Sequence, residues 1–231
     1  MNSFRGRDHY VGRGFPAGKL VVIPNGIDTT YFTPKPDEGL KLRAEWGIGP
    51  NEIVIGLAAR LDPLKDHETF LRAAAIAAKS RKDLRFVCVG GGVERDSARL
   101  ESLANGLGLE NRVVWAGECN DMPAAYGAMD IATCSSIVEG FPNMVGEAMA
   151  CGVPCVVTDV GDCARITADT GIVVPPRDPP SLAQAWLQLA ARTPAERKAL
   201  GRRARARIED EFSVAALGEN TLRALRFDSK P

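Results

Sequence analysis

Short runs that are apolar on both faces, each leading into a helical pattern, constrain this chain more than any other feature. Ile53-Val54-Ile55-Gly56-Leu57-Ala58 is nearly continuous in apolar character, and residues 84–89, 112–115, 130–134, 155–158 and 171–174 repeat the pattern at strand length. Asp66 is placed to cap a helix whose Phe70, Leu71, Ala74 and Ala78 follow the 3.6-residue period. Further helices are expected over 94–107, 122–128, 181–192, 194–210 (from a Thr193 cap) and 214–226. Strands buried on both faces and alternating with helices belong to a parallel sheet covered on both sides. The expected fold class is α/β: a doubly wound, Rossmann-like parallel sheet with helices on both faces.

The opening of the chain is less regular. Residues 1–20 are polar, glycine-rich and basic without a clear period, and they read as a linker or the tail of something larger. Residues 19–23 suggest a short strand ended by the Pro24-Asn25-Gly26 turn, 30–39 a loop, and 42–46 a short helix stopped by Gly47.

The most informative single stretch runs from Glu139 to Pro154. Pro142 and Asn143 are helix-start residues, the first pre-setting φ and the second able to cap. Met144, Val145, Ala148 and Met149 supply an apolar face before Gly152 and Pro154 stop the helix. Glu139 therefore falls in a loop and Glu147 early in a helix. A helix N-terminus attracts phosphate through its unpaired N–H groups and dipole. Carboxylates on either side would sooner accept from hydroxyls, so ribose on one side and a sugar on the other fit the pattern. The plainer alternative is that Glu147 complements the dipole and Glu139 is a solvated acid.

Parallel sheets bind ligands beyond the carboxyl ends of their strands. The loops at 59–66, 90–92, 117–121 and 135–143 all occupy that edge. Arg60 and Lys65, five positions apart in the first of them, suit a diphosphate: arginine as a fork, lysine as a point charge. Gly90-Gly91-Gly92 permits close backbone approach or merely a tight turn, and lacks the spacing of a dinucleotide fingerprint or a P-loop. His9 and His67 have no nearby serine or cysteine suggesting a triad, and His67 reads as a surface residue.

Lys plus Arg and Asp plus Glu both number 29, so no net field draws the molecule to nucleic acid. The basic run Arg202 to Arg207 reads as a solvated helix face, with contact to anionic lipid head groups as the lesser alternative. No apolar run approaches the roughly 18 residues of a transmembrane helix, and the first residues lack the apolar core of a secretion signal. The six cysteines lie mostly in apolar patterns without metal or redox spacing, and read as reduced cytosolic thiols.

These residues resemble the nucleotide-sugar-binding, C-terminal half of retaining glycosyltransferases of family 4, which have a two-domain B-type fold. The resemblance rests on Val22 to Asp28, Ala59-Arg60-Leu61-Asp62-Pro63-Leu64-Lys65-Asp66-His67, Val87 to Gly92, Val114 to Gly117, the Glu139…Glu147 pair with Ala148 to Pro154, and Gly171 to Pro176. It implies that Arg60 and Lys65 hold the donor diphosphate in place of a divalent metal, so that no cofactor is needed. It further implies that Glu147 takes the ribose hydroxyls and Glu139 the donor sugar. Backbone groups around Phe141, Pro142, Asn143 and Met144 would complete the phosphate grip, with Gly91 close by, while the loop at Cys119 faces the base. Asp66 and Asp162 stand where the family commonly carries glycine.

The implied activity is transfer of a hexosyl group from a UDP or GDP sugar to a lipid or polysaccharide acceptor, in the cytoplasm or peripherally on its membrane face. The implied domain plan is a remnant of an N-terminal acceptor domain at 1–20, a donor-binding domain at 21–212, and a helix at 213–231 that returns to the acceptor domain. Without that domain the chain would bind donor yet transfer little. A non-catalytic sugar-nucleotide module and a nucleotide-sugar epimerase are the alternatives. Hydrolysis by paired carboxylates ranks lower, since it leaves Arg60 and Lys65 without a role.

Overall fold

The computed structural model describes residues 1–92 and 97–227. In chain order its helices and strands are α1 (Phe4–Gly12), α2 (Pro36–Glu45), β1 (Ile53–Ala58), α3 (His67–Ser80), β2 (Leu84–Val89), α4 (Ser97–Gly106), β3 (Val113–Gly117) and α5 (Met122–Gly127). They continue with β4 (Ile131–Cys134), α6 (Asn143–Ala150), β5 (Cys155–Thr158), α7 (Cys163–Thr167), β6 (Ile172–Val174), α8 (Pro179–Ala190), α9 (Pro194–Glu211) and α10 (Val214–Phe227). The six strands form one parallel sheet in the order β3-β2-β1-β4-β5-β6. The strand order reverses between β1 and β4, and such a reversal opens a crevice at the carboxyl ends of the two strands.

Side-chain alternation along β1 divides the core. Ile53, Ile55 and Leu57 join a cluster with Phe70, Phe86 and Trp186, beneath α3 and α8. Val54 and Ala58 join Tyr126, Val145 and Met149 on the opposite face, beneath α5 and α6. Trp186 is fully buried against Phe70 and Phe86, and its indole N–H donates to Thr133 Oγ1 at 3.0 Å. The indole thus fills the core without stranding a polar atom.

Several expectations need correction. Residues 1–20 contain a helix, α1, whose N-terminal donors find one local and one distant side chain. Ser3 Oγ accepts from the Gly6 N–H, and the Asp162 carboxylate accepts from the N–H groups of Phe4 and Arg5. No ladder forms over 19–23: a 3-10 turn occupies Ala17–Lys19, and the Ile23 N–H pairs with the Met1 carbonyl, away from the sheet. The helix expected at 42–46 begins at Pro36, with Pro at its first position and two acids in its first turn, so it cuts into the expected 30–39 loop. α7 was not anticipated, because five residues carry too little period to register. The expected helix start at Glu94 lies outside the described residues, while Thr193 forms the capping box of α9.

Candidate functional site

Two loops meet at the sheet crevice. The first follows β1: Asp62 caps a 3-10 turn, Pro63–Lys65, that brings Lys65 toward the loop after β4. Three contacts fasten the loops together. Ile137 N–H donates to the Leu64 carbonyl at 2.9 Å, Ser135 Oγ donates to the Lys65 carbonyl at 2.7 Å, and Lys65 Nζ meets Glu139 Oε1 at 2.5 Å. Ser136 Oγ, itself buried, donates to the same Glu139 oxygen at 2.7 Å. The Glu139 side chain is 10% exposed and that of Lys65 25%, so the pair sits at the floor of the crevice. Arg60 lies on the rim, 74% exposed, its guanidinium 3.0 Å from Asp62. Asp62 is held below the usual carboxylate range, first by the Leu64 N–H and then by Arg60. Both expected phosphate cations therefore rest on carboxylates, and binding an anion requires them to exchange or share partners.

The loop that carries Glu139 is supported from beneath. Gly161, at φ 52°, lies so close to the Glu139 and Gly140 carbonyls that a Cβ would stand 2.5–2.7 Å from their atoms. Only glycine combines that φ with that approach. The neighbouring Asp162 N–H donates to the Gly140 carbonyl at 2.9 Å.

Glu147 occupies the second turn of α6, and the first turn holds no acid. It does not complement the helix dipole as the plainer reading had it, nor is it at the helix start. Buried Tyr126 donates from Oη to Glu147 Oε2 at 2.9 Å. Desolvation raises the Glu147 pKa and the tyrosine bond partly offsets this. Asn143 does not cap: Pro142 is the N-cap, no side chain bonds to the helix start, and Asn143 Oδ1 accepts from Asn25 Nδ2 at 2.9 Å. The first helical N–H groups, at Asn143 and Met144, have no intrahelical acceptor. Phe141 is buried against Phe212, and Pro142 and much of Met144 face the core, so these residues can offer backbone groups more readily than side chains.

The remaining expected residues border the same edge. The Gly91 carbonyl accepts from the Leu61 N–H at 2.8 Å, joining the glycine run to the Arg60 loop, and a Cβ on Gly91 would meet the Glu118 carboxylate. Cys119 is half-buried, with its Sγ 3.4 Å from the Asp121 carbonyl. Of the two departures from glycine, Asp66 adopts the left-handed conformation (φ 50°, ψ 55°) that glycine would supply, and its carboxylate caps α3 through Thr69. Asp162 caps α1 as described.

His67 is buried rather than superficial, with neither ring nitrogen in a well-formed hydrogen bond, and desolvation lowers its pKa to about 4. The basic run is largely structural. Arg205 binds the carbonyls of Thr29, Phe32 and Ala150, Arg207 those of Arg165 and Ile166, and Arg203 pairs with Asp169. Tyr126 and Ser136 escaped the sequence reading: each acts on a carboxylate through tertiary or loop geometry that no spacing encodes.

The fold and crevice define a class, the doubly wound α/β domains that take a ligand at the strand-order reversal. Within that class the chain belongs to the glycosyl transferases group 1 family, whose model matches residues 52–192. It is 33% identical to the D-inositol 3-phosphate glycosyltransferase of Kineococcus radiotolerans, covering 92% of this chain and 53% of that protein. It is 29% identical to a GDP-mannose-dependent monoacylated alpha-(1-6)-phosphatidylinositol monomannoside mannosyltransferase of Corynebacterium glutamicum, over 90% of this chain and 56% of that one. The chain thus spans about half the length of these curated relatives. Among solved structures, Anabaena Alr3699/HepE in complex with UDP superposes with a TM-score of 0.88 at 26% identity, over 98% of this chain and 62% of that one. The UDP-glucose complex of the same protein gives 0.86 at 25%, over the same shares. Among the described residues no helix is long and apolar enough to cross a membrane.

Proposed function

We propose that this chain is the donor-binding domain of a retaining, metal-independent glycosyltransferase of family 4 type, moving a hexosyl group from a UDP or GDP sugar to a lipid or polysaccharide acceptor. The observation that carries the reading is the Lys65–Glu139 pair, which ties the loops after β1 and β4 across the strand-order reversal with Arg60 on its rim. The names of the relatives and the UDP and UDP-glucose complexes of the solved neighbour support a nucleotide-sugar donor.

In this reading Arg60 turns from Asp62 to the diphosphate, and Lys65 bridges Glu139 and the phosphate. As the bond between the sugar and the diphosphate breaks, these cations and the N–H groups at the start of α6 stabilise the charge that builds on the leaving oxygen. Glu139 accepts from hydroxyls of the sugar, and Glu147, held by Tyr126, accepts from the ribose. The acceptor hydroxyl approaches from a second domain, consistent with a chain about half as long as its relatives. Residues 21–212 form the donor domain in this plan, with 1–20 and 213–231 reaching toward the acceptor domain.

A thermal-shift and calorimetry panel tests the proposal. UDP or GDP and their sugars should raise the unfolding temperature, by about 2.7 kcal/mol of added stability at a hundredfold excess over Kd. The bare nucleosides should do so far less, and EDTA should change nothing. Arg60→Ala or Lys65→Ala should cost roughly 1.5–3 kcal/mol of nucleotide-sugar affinity and leave nucleoside binding nearly intact. Equal losses for nucleoside and nucleotide sugar, or a requirement for magnesium or manganese, would overturn the diphosphate assignment.

A further inference from the structure

The opposite edge of the sheet holds a second cavity, of about 470 Å³, against the amino ends of β4 and β5. Its volume lies in the range of small-molecule sites. One wall is Pro34, Pro36 and Leu40 and the other is Val153 and Pro154, so much of it is apolar. α9 closes it, approaching so tightly that a side chain on Gly201 would drive into the Gly152 carbonyl.

The charge of this cavity is lopsided. In a chain with equal numbers of acids and bases, six of the seventeen lining residues are Lys or Arg and one, Asp130, is acidic; Lys35 and Arg205 are paired outside the lining with Asp121 and Glu209, which leaves Arg43, Arg197, Lys198 and Arg202 against Asp130. At the floor Asp130 serves two guanidiniums: Arg43 at 2.7 Å and Arg197 at 3.5 Å, with side chains 13% and 8% exposed. Arg43, half-buried, also donates to the Ala128 carbonyl, and buried Arg197 to the Arg192 carbonyl, yet one carboxylate against two guanidiniums leaves a formal positive charge in excess and Arg197 Nε is buried without an acceptor. Uncompensated buried charge is costly. At the rim Lys198 and Arg202 are exposed, and neither has a hydrogen-bond or ion-pair partner among the described residues. They stand one turn apart on α9, where like charges repel. A bound anion would relieve both strains.

We propose that this cavity is a second ligand site, taking a phosphate monoester that carries an apolar body. The phosphate sits against Lys198 and Arg202, in the field of the Arg43–Arg197 floor, and the apolar body lies along Pro34, Leu40 and Val153. The excess of cations matches a dianion better than a single carboxylate. The site is separate from the crevice at the carboxyl ends of β1 and β4 and does not depend on the donor reading. The phosphate could reach it as a soluble ester or as a lipid head group.

Phenyl phosphate is the probe, titrated into 15N-labelled protein with and without an excess of UDP. Saturable amide shifts should appear at Gly127, Gly152, Val153 and Lys198, and should persist with UDP present. The double variant Lys198→Ala/Arg202→Ala should weaken binding by about tenfold or more, the loss expected for charge-assisted contacts. The swap Lys198→Arg/Arg202→Lys should retain it, and the unfolding temperature of both variants should not fall, since both side chains are exposed and unpaired. Co-sedimentation with vesicles containing phosphatidic acid separates the sources. Vesicle binding lost in the double variant supports a lipid phosphate, and phenyl phosphate binding without vesicle binding supports a soluble ester. The proposal is overturned if no saturable shift appears, if the shifts are confined to the loops after β1 and β4, or if the double variant binds as the parent does.

Discussion

Glu147 shows how a residue's surroundings set its charge balance. Desolvation raises its pKa, and the Tyr126 hydroxyl, donating to Oε2 at 2.9 Å, offsets part of that rise. Tyr126→Phe should therefore weaken nucleoside diphosphate binding by about 1 kcal/mol. It should also move the acid limb of that binding to higher pH, because the carboxylate loses the donor that held its pKa down. Calorimetry across pH checks this, and a loss of affinity without a shifted limb would assign Tyr126 to packing alone. His67 makes a prediction of opposite kind. The fold buries it neutral, with a pKa near 4 against 6.5 for the free side chain. Between those values the unfolded state binds more protons, so stability should fall as pH drops from about 6.5 toward 4, by up to about 3 kcal/mol. His67→Gln should flatten that slope in denaturant melts, and an unchanged slope would place the titration elsewhere.

At the scale of elements, what the sequence made legible follows from periodicity. β1, β2 and α3 were readable because their apolar runs and 3.6-residue spacing are local signals, and Thr193 carries the capping box of α9 within four residues. The loops holding Arg60, Lys65 and Glu139 were readable because a parallel sheet fixes which edge binds ligands. α1 was not, since two of its N-terminal donors are satisfied by Asp162, 157 and 158 residues away. Nor was the capping failure of Asn143, which follows from its tertiary partner Asn25. One residue, Asp162, ties α1 to the Glu139 loop. Asp162 holds α1 through its carboxylate and the Glu139 loop through its N–H. Asp162→Ala should speed hydrogen exchange over residues 4–12 while leaving β1 and β4 protected, and uniform change across the sheet would contradict a local role. Gly161→Ala should cost roughly 1–3 kcal/mol of stability, because the new Cβ meets the Glu139 and Gly140 carbonyls at a positive φ. Chemical denaturation measures it.

Taken as a whole, the molecule gathers different side chains at its two sheet edges. The carboxyl edge gathers Arg60, Lys65, Glu139 and Glu147 around the strand-order reversal, and the amino edge gathers the cations of the second cavity. Such separation comes free with a parallel sheet, whose strand ends all point one way. The proposal stands or falls on two glutamates having different duties around one phosphate. Titration of Glu139→Gln and Glu147→Gln with nucleoside diphosphate and with intact nucleotide sugar tests that most directly. Glu147→Gln should cost about 1–2 kcal/mol for both ligands, since the ribose is common to them. Glu139→Gln should cost a similar amount for the nucleotide sugar and almost nothing for the diphosphate. Identical profiles for the two variants, or the reverse pattern, would contradict the placement of ribose and sugar on either side of the phosphate grip.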